Sequence, residues 1–243
     1  MVIVQEFTTK NPIQMIGLEA GVCWGANITN PPKNYLRGID CLKSGHLRTA
    51  EYPQVYLILE GYSARVIREF YTHIGGSPTR LQASTRYIDY GEFNYVIPPS
   101  VTKNSVACAI YTKMMEDIST SLKSLEALGV PREDCGMGLP LAMETKVVVR
   151  TNLRNLIDMC HVRMCTRAYW EMRELINDII KALSEYSVEW DTLTHNFFKP
   201  KCEVNGFCTE KNSCGRRPKV DIEIKESSIP HGKIIGDSKS SSS

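Results

Sequence analysis

The chain of 243 residues is 42% hydrophobic and 23% charged, which is enough for one sizeable buried core with a small appendage. A formal net charge of +2 is close to neutral, so the overall balance indicates neither a nucleic-acid partner nor an anionic membrane surface. No apolar run approaches about 18 residues, the length that spans a membrane, and no basic stretch with an apolar h-region stands at the N-terminus. We expect a cytoplasmic protein whose nine cysteines are mostly reduced, buried thiols.

Strand and helix signals alternate in the first sixty residues. The predicted elements are a β-like start at 2–7, a helix at Met15–Trp24 with Cys23 and Trp24 in the core, an end to that segment at Pro31-Pro32, a helical segment reaching Ser44, and a strand at Val55–Leu59. Gly45-His46 breaks the second helical segment, and Gly61 bounds the strand. His46 alone is more typical of a structural histidine than of a cofactor ligand.

The second half of the chain predicts longer helices. The predicted elements are strands at Tyr87–Tyr90 and Phe93–Ile97, a long helix at Asn104–Leu128, a short helix at Pro131–Asp134, a strand at Lys146–Arg150, a helix capped by Thr151 or Asn152, and a helix at Thr166–Tyr186. Steps of three and four along the long helix place one apolar stripe, from Val106 to Leu125. Gly129 provides its C-terminal stop.

The stretch from Gly61 to Tyr87 combines a short helix with a polar segment. Ser63 is a candidate N-cap for an amphipathic helix that runs to His73, before Gly75-Gly76. The polar segment then crowds donors and guanidinium groups into eight residues: Thr79, Arg80, Gln82, Ser84, Thr85 and Arg86. Forked cations with hydroxyls between them suit a phosphate or a base edge, whereas a solvated loop with surface arginines is the alternative.

The end of this stretch resembles the signature of the flavin-dependent thymidylate synthases. That signature is Arg-His-Arg, seven residues, then Ser-x-Arg-Tyr, and Ser84, Arg86 and Tyr87 match its closing part. Thr72-His73-Ile74 stands in the place of Arg-His-Arg, with nine residues before Ser84, so only the histidine is retained. Arg80, inside the two-residue insertion, offers a replacement guanidinium.

The resemblance continues in the same order from about Ile13 to Trp190. The matching segments are Ser44-Gly45-His46 with Glu51, Leu139-Pro140-Leu141, Thr151-Asn152-Leu153-Arg154, His161-Val162-Arg163, and Ala168 to Arg173. Gly136 stands where the family has a phosphate-binding arginine. The resemblance implies an α+β fold with a central, mainly antiparallel sheet flanked by long helices.

The same resemblance implies an activity and a set of site residues. The reaction would be the reductive methylation of dUMP to dTMP, with methylenetetrahydrofolate as one-carbon donor and NADPH as reductant through FAD. Arg163 would be catalytic, because it would hold the uracil edge and stabilise negative charge on the ring. The residues implied at dUMP are Glu69, Gln82, Ser84, Arg86 and Arg163. The residues implied at flavin or folate are His46, Glu51, Thr72, His73, Ile74, Arg80, Asn152 and Asp158. Family members are homotetramers with shared flavin sites, so we expect a homotetramer.

The C-terminal stretch differs in composition. We expect a synthase-like domain over 1–198, a cysteine-bearing basic extension over 199–226, and a disordered tail over 227–243. Cys202, Cys208 and Cys214 are six residues apart in a segment with little hydrophobic content, so they are candidate zinc ligands, with His195 or an outside group as the fourth. Free or packed thiols are the alternative.

Two other functions are compatible with the sequence. The loss of family arginines at Thr72, Ile74 and Gly136 would suit an enzyme of the same fold that acts on another pyrimidine nucleotide or hydroxymethylates it. A non-catalytic nucleotide-binding or interaction protein is the second alternative, because residues 199–219 hold six Lys or Arg against two Glu. Arg154, Asp158 and His161 lie along one helix face, which is either part of a site or a structural salt-bridge network.

Overall fold

The computed structural model describes residues 1–75 and 78–220. Its elements are β1 Val2–Val4, α1 Pro12–Cys23, α2 Pro31–Lys43, β2 Gln54–Ser63, α3 Ala64–Phe70, β3 Thr79–Gln82, α4 Pro99–Thr102, α5 Ser105–Ala127, α6 Arg132–Cys135, β4 Glu144–Asn152, α7 Leu153–Arg163, α8 Trp170–Tyr186, α9 Val188–Phe197 and α10 Lys201–Asn205. Single 3-10 turns lie at Thr49–Glu51 and Gly136–Gly138. The predicted α+β class is confirmed.

A four-stranded antiparallel sheet in the order β1-β2-β4-β3 forms the centre of the fold. Alternate side chains of the two central strands point into the core, where Leu57 of β2 and Val149 of β4 are fully buried. β2 is longer than predicted because it continues through Gly61. The register shifts between Glu60 and Tyr62, and Gly61 adopts a φ of +79°, which is the geometry of a β-bulge.

The helices α1 and α2 pack closely through glycine. A Cβ added at Gly17 would lie 1.7 Å from the Asn34 carbonyl oxygen, and one at Gly38 would lie 2.0 Å from the Ile13 carbonyl oxygen. Only glycine permits this backbone approach. The buried Glu189 of α9 accepts a hydrogen bond from the Ile13 amide at 2.7 Å and so satisfies a free N–H at the start of α1.

Several boundaries differ from the predictions. Pro31-Pro32 opens α2 at its first two positions instead of only ending the previous segment, in keeping with the preference of proline for helix starts. α1 starts at Pro12 and buries Ile13 and Ile16, so Cys23 and Trp24, predicted to lie in the core, fall at its exposed end.

The strands predicted at 87–90 and 93–97 were wrong. Only an isolated bridge between Tyr95 and Met143 occurs there. Thr79–Gln82, which the sequence suggested to be a polar loop, instead pairs with β4 as the edge strand. A polar sequence is tolerated at that position because the outer edge of an edge strand has no neighbouring strand and faces solvent.

The predicted long helix is confirmed as α5, with Asn104 as its N-cap and Gly129 beyond its end at a φ of +83°. Most of its apolar stripe is exposed in the described chain, although Leu122 is buried. Val106 and Ile110 are 66% and 67% exposed, and an open groove lies along this face. Contiguous apolar surface of this kind marks an interaction site.

Candidate active site

Arg163, the last residue of α7, joins two of the other predicted site residues. Its Nη1 donates to Glu69 Oε1 at 2.5 Å, and its Nε donates to His73 Nε2 at 2.9 Å. Glu69 lies on α3 and His73 lies just after it, so two elements distant in sequence meet here. The Arg163 and Glu69 side chains are 21% and 25% exposed, so the cluster is largely desolvated but remains open to a ligand.

His73 is held neutral within this cluster. Burial, together with the cations of Arg163 and Arg80, lowers the pKa of His73 from 6.5 to about 4. A neutral imidazole has one acceptor nitrogen, and here that nitrogen is Nε2, which faces Arg163. His73 therefore orients the guanidinium without competing with it for negative charge.

Arg80 holds the backbone of the segment that carries His73. Its guanidinium donates to the carbonyl oxygens of Tyr71, at 3.2 Å, and His73. It also lies over the Tyr71 ring, 5.2 Å from the centroid. The replacement guanidinium that the sequence suggested is thus used within the chain, where it holds the backbone at Tyr71 and His73.

A second cluster lies around the N-terminal half of α7. Arg154 Nη1 donates to Glu51 Oε1 at 2.5 Å, and Arg154 Nε lies 4.0 Å from Asp158 Oδ2. The loop of His46 leads into the 3-10 turn that carries Glu51, and the Thr49 hydroxyl donates to the His46 carbonyl oxygen. With 1.5 Å of rise per residue, Arg154 and Arg163 lie about 14 Å apart along the helix.

Of three further residues predicted to bind the cofactor, one has a structural role and the side chains of the other two are exposed to solvent. Asn152 is buried and accepts from the Asn155 amide at 2.9 Å, so it is the N-cap of α7. The side chains of Thr72 and Ile74, in the places of the family's arginines, are exposed. Thr72 Oγ1 donates to the Glu69 carbonyl oxygen at 2.7 Å.

The third cluster contains the closing part of the predicted signature. The Ser84 hydroxyl accepts from the Arg86 amide at 3.2 Å, and Arg86 Nε donates to Glu133 Oε2 at 2.9 Å. A Cβ at Gly136 would lie 3.2 Å from the Thr85 carbonyl oxygen, so the segment packs against this position. No hydrogen bond or ion pair of residues 1–75 and 78–220 joins this cluster to Arg163.

Gln82, the remaining predicted dUMP residue, belongs to the sheet. Its amide nitrogen donates to the Thr145 hydroxyl at 3.2 Å across β3 and β4. The sequence did not predict that Arg154 pairs with Glu51 or that Glu133 pairs with Arg86. The spacing of Arg154 and Asp158, four residues apart on one helix, was the available signal for the first.

The predicted zinc cluster of Cys202, Cys208 and Cys214 is not formed. Among residues 1–75 and 78–220, no group of three or more His, Cys, Asp or Glu side chains is close enough to hold a metal ion. Cys208 is buried, and its backbone forms an isolated β-bridge with Lys219. The Thr166 hydroxyl hydrogen-bonds Cys214. All three are free thiols in this structure, of which Cys208 is buried, Cys202 is partly buried and Cys214 is exposed.

No helix of the described chain is both long and apolar enough to cross a membrane.

The fold and its three arginine-centred clusters define an α+β protein with several donor sets suited to anionic ligands. The model of the family described as "Thymidylate synthase complementing protein" matches residues 7–187, and the chain belongs to this family. Its similar relatives are flavin-dependent thymidylate synthases.

Two curated relatives illustrate the similarity. The flavin-dependent thymidylate synthase of Nitratidesulfovibrio vulgaris is 32% identical over 187 residues, 73% of this chain and 74% of the relative. That of Clostridium tetani is 31% identical over 235 residues, 86% of this chain and 90% of the relative. Among solved structures, the Helicobacter pylori enzyme ThyX complexed with FAD and dUMP has a TM-score of 0.62 at 16% identity, over 79% of this chain and 98% of that one. The structural likeness at this identity supports the fold alone.

Proposed function

We propose that the protein is an FAD-dependent thymidylate synthase that converts dUMP to dTMP. In this proposal methylenetetrahydrofolate supplies the carbon, and NADPH supplies the electrons through bound FAD. The observation that carries it is the Arg163 cluster, because this family member retains a guanidinium fixed from two sides beside a neutral histidine. Bound flavin would supply the redox chemistry, and the chain would supply position and charge.

Arg163 is the residue we place against the pyrimidine. A guanidinium has five N–H donors, and two of them are used by Glu69 and His73 in the described chain. The remaining donors can reach a uracil carbonyl oxygen and stabilise negative charge as it develops on the ring. Because both partners fix the guanidinium before substrate binds, little reorganisation is needed in the reaction.

Ser84 and Arg86 are the residues we place at the nucleotide phosphate. Arg86 is paired with Glu133, but their side chains are 62% and 53% exposed, and an exposed pair contributes no more than about 1 kcal/mol. A phosphate, with more charge and more acceptor oxygens, would displace that carboxylate at little cost. Gly136 adds no cation here, so phosphate binding would rest on Arg86 and its neighbours.

The flavin and folate would lie toward the second cluster. His46, Glu51 and Asp158 border one end of α7, and the Arg163 cluster occupies the other. The separation of about 14 Å suits an extended cofactor whose reactive ring meets the pyrimidine near Arg163. An anionic group of the cofactor would replace Glu51 as the partner of Arg154, because this ion pair is at the surface and is weak.

The homotetramer is part of the same proposal. Two features support it: the exposed apolar face of α5, and the finding that no hydrogen bond or ion pair of the described residues joins the Ser84–Arg86 segment to the Arg163 cluster within one chain. Association of α5 faces would bury the apolar stripe. It would also allow the phosphate-binding residues of one subunit to complete the pyrimidine site of another.

Product analysis tests the proposed reaction. The full chain is incubated with dUMP, methylenetetrahydrofolate, NADPH and FAD, and the nucleotide is identified by mass spectrometry. The proposal predicts dTMP, and it predicts no product when FAD is omitted from flavin-free protein. Recovery of 5-hydroxymethyl-dUMP would favour the alternative chemistry suggested by Thr72, Ile74 and Gly136. Unchanged dUMP with fully FAD-loaded tetramer would contradict the proposal.

A further inference from the structure

The position of Arg163 at the end of a helix creates a need for support. Arg163 is the last residue of α7, and Met164 is its C-cap. The final carbonyl groups of a helix have no partner within the helix, so the last turn frays unless other groups hold it. Arg163 can therefore keep a fixed position against a substrate only if the end of α7 is anchored.

The C-terminal extension makes three contacts with residues 164–167, which directly follow Arg163. Arg216 Nη1 donates to the Met164 carbonyl oxygen at 3.3 Å. Arg167 Nε lies 3.1 Å from Glu210 Oε2. The Thr166 hydroxyl hydrogen-bonds the Cys214 thiol, and this contact is the main reason that the pKa of Cys214 is lowered. A cation at a helix C-terminus also complements the negative end of the helix dipole.

The extension is itself fixed, so it can transmit support to α7. Arg216 Nε lies 3.6 Å from Glu203 Oε1 on α10, and α10 packs against α7. The Cys208 amide donates to the Pro218 carbonyl oxygen at 2.8 Å, and the Val220 amide donates to the Cys208 carbonyl oxygen at 2.9 Å. These bonds close residues 208–220 into a loop that presents Arg216 to the helix end.

We infer that residues 201–217 form a clamp on the end of α7, and that Arg216 is a positioning residue for Arg163. The effect of Arg216 on catalysis rests on the proposed function. The existence of the clamp does not depend on that function. The family match ends at residue 187, so it assigns no role to this segment. Through Met164, Arg216 stabilises the final helical turn, and that turn fixes the direction in which Arg163 leaves the backbone.

The test compares Arg216→Ala with Arg216→Lys and with Arg217→Ala in the full chain. Arg217 is the neighbouring cation of the extension, but its side chain has no hydrogen bond to Met164 in the described structure, so it is the matched control. Hydrogen–deuterium exchange is measured for peptides covering residues 160–167, with α8 as an internal reference. Steady-state kinetics are measured with dUMP as the varied substrate.

For Arg216→Ala we expect exchange in 160–167 to be at least about threefold faster, with α8 unchanged. We expect the KM for dUMP to rise on the order of threefold to tenfold, because misplacement of Arg163 weakens its contact with the pyrimidine. Simple loss of folded protein lowers the apparent kcat but leaves KM unchanged. Arg216→Lys should recover part of both effects, since it retains a cationic donor, and Arg217→Ala should match the wild type.

Wild-type exchange in 160–167 of a folded Arg216→Ala protein would overturn the clamp, whatever its activity. Faster exchange with an unchanged KM for dUMP would overturn the positioning role of Arg216. If no variant and no wild-type protein turns over dUMP, the proposed function fails, while the exchange measurement still decides whether the clamp exists.

Discussion

His73→Gln should remove part of the acid sensitivity of the folded protein. Burial and the cations of Arg163 and Arg80 lower the pKa of His73 from 6.5 to about 4. Between these two values the unfolded chain binds more protons at this position than the folded chain does. The stability contributed by neutral His73 is therefore complete above about pH 6.5 and is lost as the pH falls through this window.

The size of the effect follows from the pKa difference and the exposure of the ring. One pKa unit corresponds to about 1.4 kcal/mol, so a fall from 6.5 to about 4 sets an upper limit of about 3.4 kcal/mol. His73 is only half-buried, and solvent screening reduces the effect to roughly half of that limit. We expect the wild type to lose about 1.5 kcal/mol more than His73→Gln across the window.

Urea unfolding of both proteins at several pH values between about 7 and 4 measures this difference. Comparison of the two profiles cancels the carboxyl groups that titrate in the same range. His195→Gln, at an exposed position of α9, is the control for removal of an imidazole. Parallel profiles for wild type and His73→Gln, or an NMR titration of His73 with a midpoint near 6.5, would refute the reasoning.

Three further substitutions test other parts of the structure. Glu69→Gln leaves the Arg163 guanidinium without its carboxylate partner at 2.5 Å, and we expect dUMP binding to the FAD-loaded protein, measured by calorimetry, to weaken about tenfold. Gly17→Ala would place a Cβ 1.7 Å from the Asn34 carbonyl oxygen, so we expect a loss of about 3 kcal/mol or more in thermal unfolding. Glu189→Gln removes the buried charge that accepts from the start of α1, and urea unfolding should show a loss of about 2 kcal/mol.

Each of these substitutions can contradict the structure. Unchanged dUMP affinity in Glu69→Gln would show that this carboxylate does not position Arg163. A Gly17→Ala protein with wild-type stability would mean that α1 and α2 do not cross at the distance described. Equal urea midpoints for Glu189→Gln and wild type would remove the proposed role of Glu189 at the start of α1.

Local signals predicted α3, α5 and α7 because the residues that start and stop these helices are local, whereas α9 was not predicted. Ser63 and Asn152 were named from the sequence as candidate N-caps, and each accepts a backbone hydrogen bond at the start of its helix. Burial was harder to predict, since it depends on what packs against a face. Trp24, Val106 and Ile110 are apolar by sequence but exposed in the described chain.

The site residues could be named from sequence, but their connections could not. Arg163 and His73 are 90 residues apart, and nothing local indicates that one donates to the other. The pairing of Glu51 with Arg154 likewise joins positions 103 residues apart. Arg80 illustrates the opposite limit: its charge suggested a ligand-binding role, whereas its guanidinium donates to the carbonyl oxygens of Tyr71 and His73.

The central claim is that the Arg163 cluster binds the pyrimidine. It is tested most directly by titrating dUMP into FAD-loaded wild type and Arg163→Ala while the flavin absorbance spectrum is recorded. The account predicts a saturable spectral change in the wild type, and a variant that keeps FAD but binds dUMP at least about tenfold more weakly. An Arg163→Ala protein that binds dUMP as tightly as the wild type would contradict it.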